Sequence, residues 1–117
     1  MKRDDEFIRE LLFEFEASND LYLIAHVSQS ASDDDKKRYL HAELLCDAGF
    51  FEAVNKGLYR MTNQGYDYLE VIRDNSIWEK TKSGAELIGG ATLGILKELA
   101  VAYAKDAAKT KLGIDLG

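Results

Sequence analysis

Between residues 4 and 16 the apolar positions recur with a helical period, so that Phe7, Ile8, Leu11, Leu12 and Phe15 share one face. Asp4, Asp5 and Glu6 open that segment, where carboxylates suit the positive end of a helix dipole. The pattern predicts a first core helix, with Phe13 off the stripe and either widening the buried arc or meeting another element. Ser18-Asn19-Asp20 breaks the period, and residues 21–27, with Tyr22, Ile24 and Val27, read as a short strand. A polar loop follows, ending in Ser32-Asp33-Asp34-Asp35, which offers an N-cap and first-turn acids for a second helix beginning near Asp33. Leu40, Leu44, Leu45 and Ala48 are its expected inward face, and Gly49 supplies the left-handed residue that ends it.

Residues 50–54 and 58–61 then read as two strands around Asn55-Lys56-Gly57, a tight turn in which Gly57 takes positive φ. Thr62-Asn63-Gln64-Gly65 opens a further helix, expected to run to about Lys82. Tyr66, Leu69, Val71 and Ile72 are its expected inward positions, and Trp78 covers the end of the core. Ser83-Gly84 reads as a junction, and residues 85–112 as a final Ala-rich helix that Gly89, Gly90 and Gly94 weaken by roughly 1 kcal/mol each. Helix, two-stranded wing and helix is the order of a winged helix-turn-helix. The expected class is therefore mainly α (α+β), a winged helix with a small β-hairpin and an added C-terminal helix. Residues 1–82 would form that domain, and residues 83–117 a helical extension that packs on it or forms an interface.

Composition narrows the function classes. At 117 residues, 46% apolar and 31% charged, the chain can bury one core without metal or disulfide help. One cysteine, Cys46, allows no internal disulfide, and no basic leader precedes an apolar run, so a cytoplasmic protein is expected. Lys97 and Glu98 interrupt the apolar stretch from Leu87 to Ala104 and argue against a membrane span. The net charge of −6 opposes general attraction to phosphate, so any DNA contact needs a local basic patch.

Met1-Lys2-Arg3-Asp4, Ile8-Arg9, His41 before Leu44-Leu45 and Ala48-Gly49, Arg60-Met61-Thr62, Gly65, Leu69, Ile72-Arg73-Asp74 and Trp78 together resemble an uncharacterised bacterial and phage family. It is the domain of unknown function 2513. The resemblance extends into Lys80-Thr81-Lys82, Gly89-Gly90 and Leu96-Lys97, and so spans nearly the whole chain. It implies a winged-helix fold and carries no activity with it. Members resemble this chain less closely at two places, since Leu40 precedes His41 and the cap reads Thr62-Asn63-Gln64-Gly65.

Two ligand classes follow. Lys36, Lys37, Arg38 and His41, near the start of the helix before the wing, would contact a DNA groove, with Lys56 and Arg60 of the wing on the backbone. Asp33, Asp34, Asp35, Glu43 and Asp47 on the same helix oppose this, and at helical spacing the cations equally well balance those acids. The alternative ligand is a protein partner or a second copy, met by Leu87, Ala91, Ile95, Leu99 and Ala102 along one face of the final helix. Catalysis finds little support: there are two histidines, no Gly-rich phosphate loop and no metal-spaced His/Cys set, so neither catalytic residues nor a cofactor or metal is expected. The functional expectation is a DNA-binding or regulatory protein, with a protein-interaction module as the alternative.

Overall fold

The computed structural model describes residues 1–117. Five helices and three short strands follow the order α1 (Asp5–Ala17), β1 (Leu23–Ile24), α2 (Asp33–Asp47), β2 (Phe51–Asn55), β3 (Leu58–Met61), α3 (Asn63–Ile72), α4 (Asn75–Leu87) and α5 (Leu93–Leu112). The class is mainly α with one small antiparallel sheet, as the sequence pattern expects. The chain forms two compact units, Met1–Leu69 and Glu70–Gly117, and the division falls inside α3.

In the first unit, Asp4 caps α1 by accepting the Phe7 N–H, and Ile8, Leu11, Leu12 and Phe15 are buried at the expected spacing. Ser32 caps α2 through the Asp35 N–H. The sheet order is β1-β3-β2, with Leu23 opposite Tyr59, and Phe51 opposite Met61. β1 is shorter than the expected strand because only Leu23 and Ile24 pair. Gly57 holds φ +73 at the hairpin turn, where a β-carbon would strike His26. Thr62 joins hairpin to helix: its hydroxyl donates to the Gly49 carbonyl at 2.6 Å and accepts the Gly65 N–H at 3.2 Å.

The inward face of α2 differs in phase from the expectation, and that of α3 differs at Tyr66. α2 buries His41, Ala42 and Leu45, leaving Leu40 and Leu44 half-buried and Ala48 exposed. Aromatic packing accounts for the rotation, because Phe7 meets the His41 ring edge-on with centroids 5.0 Å apart. α3 buries Leu69 and Ile72 as expected and Tyr68 in addition, whereas Tyr66 lies at the rim, its ring 6.3 Å from that of Phe15. Tyr68 stacks on Phe50 at 5.0 Å, and its buried hydroxyl has no hydrogen-bond partner.

The second unit corrects the helix boundaries. The helix after the hairpin does not continue to Lys82: Asp74 adopts an extended conformation and its carboxylate caps Ile77, so a new helix starts there. Ser83 and Gly84 are not a junction but lie within α4, where Gly84 gives room to the Tyr103 ring of α5. The break falls instead at Gly89 and Gly90, both at positive φ (83° and 114°). Thr92 then caps α5 by accepting the Ile95 N–H, so the last helix begins at Leu93 rather than Ala85. α4 and α5 pack as a helical hairpin, with Trp78, Thr81, Leu93, Leu96 and Ala100 buried.

Candidate nucleic-acid interface

α2 occupies the position between α1 and the hairpin that the sequence assigns to groove contact, so its side chains decide what the region can touch. His41 is fully buried and cannot reach a ligand. Its Nε2 accepts the backbone N–H of Asp4 at 2.8 Å, which fixes the ring proton on Nδ1, and Nδ1–H donates to the Lys37 carbonyl at 2.7 Å. The imidazole is thus a link between the N-terminus of α1 and the first half of α2. The expectation of a groove-contacting histidine is corrected by this burial.

Lys37 and Arg38 are also engaged internally. Lys37 Nζ donates to the Asp4 carboxylate at 2.9 Å and lies 4.7 Å from the centre of the Phe7 ring. The Arg38 guanidinium forks onto Glu14 at 2.9 and 2.6 Å, and its Nε donates to the Ile24 carbonyl at 3.0 Å. The hydrogen bond from Lys37 holds the Asp4 carboxyl below the usual carboxylate range, and the one from Arg38 does the same for Glu14. On the hairpin, Arg60 pairs with Glu52 across the strands. Of the six candidate residues, Lys36 and Lys56 alone extend into solvent without an ion pair.

Lys36, Leu40, Glu43 and Asp47 follow one another along α2 at steps of four, three and four residues; Lys36 and Asp47 are exposed, whereas Leu40 and Glu43 are half-buried. Glu43 accepts the Tyr59 hydroxyl at 2.9 Å. Burial, then that bond, pushes the Tyr59 hydroxyl pKa up, and the Glu43 carboxylate raises that of Tyr39. Cys46 is half-buried, and burial pushes its thiol up to about 11, so it is not a thiolate at neutral pH.

This arrangement lies within the segment that a family profile described as "hypothetical protein" matches, residues 2–91. The chain belongs to the DUF2513 family. No curated protein and no solved structure matches it. In this DUF2513 chain the profile covers all of α1 to α4 and stops before α5.

The expected partner face is dispersed. Leu87 ends α4 at 87% exposure, Ala91 lies in the connection, and of the three on α5, Ile95 and Ala102 are exposed and Leu99 is half-buried. They do not form one helical stripe, because the Gly89-Gly90 break resets the phase between Leu87 and Ile95. The sequence reading missed the structural pairs Asp4–Lys37 and Glu14–Arg38, whose partners are 33 and 24 residues apart. Ile24, Leu21 and Tyr22 were also missed as exposed apolar residues, although their crowding in one short polar-flanked run was a legible signal.

Proposed function

We propose that this DUF2513 protein is a protein-interaction module with a winged-helix arrangement, encoded by a bacterium or phage and acting as a regulatory partner binder in the reducing bacterial cytoplasm rather than as a reader of DNA. One observation carries the reading: of the basic run at the start of α2, Lys36 alone is exposed without an ion pair, beside the exposed Asp33, Asp34 and Asp35, while Lys37 and Arg38 are committed to α1 and β1 and His41 is buried. Contacts between cations and phosphates supply essentially all of the non-specific affinity in protein–DNA association and a large share of the specific affinity. The net charge of −6 acts in the same direction. DNA binding is the second reading, favoured by the element order and by Lys36 and Lys56 standing free at the start of α2 and at the hairpin turn.

Fluorescence anisotropy separates the two. A labelled duplex from the gene's own upstream region and a scrambled duplex are titrated with the full chain at about 50 and about 200 mM salt, the range over which phosphate-driven affinity collapses. Neither duplex should bind at the higher salt, and the lower salt should reveal no preference between them. Tight binding that prefers the native duplex, survives the higher salt and is lost in Lys36→Ala/Lys56→Ala would overturn the interaction-module reading in favour of DNA.

A further inference from the structure

The surface around β1 combines an apolar patch with a small acidic cavity. Leu21, Tyr22, Ile24 and Val27 are 76%, 44%, 60% and 40% exposed, while Leu23 and Ala25 between them are buried. The strand therefore presents apolar side chains on both faces, and core packing explains only the inner one. β1 is also a sheet edge, but a partner strand cannot simply extend the ladder there, because the Ile24 carbonyl already accepts Arg38. Contact at this edge falls to side chains.

Beside Ile24 lies a cavity of about 240 Å³, lined also by Ala25, His26, Ser28, Ala31, Asp35 and Arg38. It is smaller than the roughly 300–1,000 Å³ of small-molecule sites and suits a single long side chain. Its charge is set by Asp35. Arg38 is neutralised by the fork onto Glu14, whereas the Asp35 carboxylate has no ion pair and only its backbone N–H is held, by Ser32. Asp33 and Asp34 precede it in the same helical turn.

We propose that this patch and cavity receive a lysine- or arginine-bearing apolar segment of a partner protein. The aliphatic stem lies along Ile24, Ala25 and Ala31, the cationic head meets Asp35, and neighbouring apolar residues of the segment cover Leu21 and Tyr22. A cation is selected because the one carboxylate lining the cavity, that of Asp35, has no ion pair, whereas an acidic segment would be repelled by it. This inference rests on the interaction-module reading and names its surface.

The test is selection from a displayed random-peptide library on the immobilised full chain, followed by affinity measurement and amide-shift mapping with the selected peptides. Selected peptides should be rich in Lys or Arg with apolar neighbours, should shift the amides of residues 21–35, and should weaken about tenfold in Asp35→Asn and in Ile24→Ser. Asp35→Asn keeps the backbone bond to Ser32, so an unchanged thermal midpoint establishes that both variants are folded. Acidic selected peptides, failure to enrich any, or affinity indifferent to both substitutions would overturn the proposal. Peptides that bind but shift amides elsewhere would overturn this surface and leave the module reading standing, whereas native-sequence DNA binding in the anisotropy titration would overturn the module reading itself.

Discussion

Arg38 joins α1, β1 and α2 through the Glu14 carboxylate and the Ile24 carbonyl. A cation used in this way is withdrawn from phosphate, and its contribution is structural. Because Glu14 is about half exposed, solvent screening limits the worth of the pair, so a double-mutant cycle between Arg38→Ala and Glu14→Gln should give a coupling of about 1 kcal/mol or less by chemical denaturation. The same pair sets an acid dependence. Asp4 and Glu14 have folded-state pKa values below their unfolded ones, so their contribution is present above the usual carboxylate pKa, near 4. It is lost as pH falls through the lowered folded values. Denaturation midpoints should therefore drop below about pH 4, and less steeply in Glu14→Gln than in the parent chain.

The elements whose ends are marked by local chemistry were legible: Ser32 before α2, Gly57 in the hairpin and Thr62 before α3 all act as their residue types suggest. Asp74-Asn75-Ser76 carries the same kind of polar break signal as Ser18-Asn19-Asp20, but the apolar positions Leu69, Ile72 and Trp78 on either side of it read as one continuous helix. The phase of α2 was misread for a different reason. Leu40 and Leu44 mark an apolar stripe, but the bond of His41 to Asp4 and the packing of Phe7 turn the helix onto His41, Ala42 and Leu45. No local pattern encodes partners that lie more than 30 residues away. The Gly89-Gly90 break has its own consequence for stability. Leu87→Asp, on an 87% exposed residue, should move the free energy of unfolding by no more than about 0.5 kcal/mol, whereas Leu96→Asp, fully buried in α5, should leave the second unit unfolded by circular dichroism. Equal losses in both variants would mean that Leu87 is covered.

Across the whole molecule, part of the acidic charge is engaged in ion pairs within the chain, since Asp4, Glu14 and Glu52 each hold a cation that composition alone would assign to a ligand. Fold class and family were accessible from periodicity and short motifs, but the candidate site was not, because a basic run reads alike whether its charges face phosphate or carboxylate. What distinguishes the two is whether the imidazole at the centre of the cluster is an internal link. The long-range proton–nitrogen spectrum of the His41 ring, recorded at neutral pH with and without the upstream duplex, addresses this directly. A protonated Nδ1 and an unprotonated, hydrogen-bond-accepting Nε2, unchanged by DNA, are expected. A ring exchanging between tautomers in solvent, or one that shifts on addition of the duplex, would contradict the internal role and return α2 to the groove.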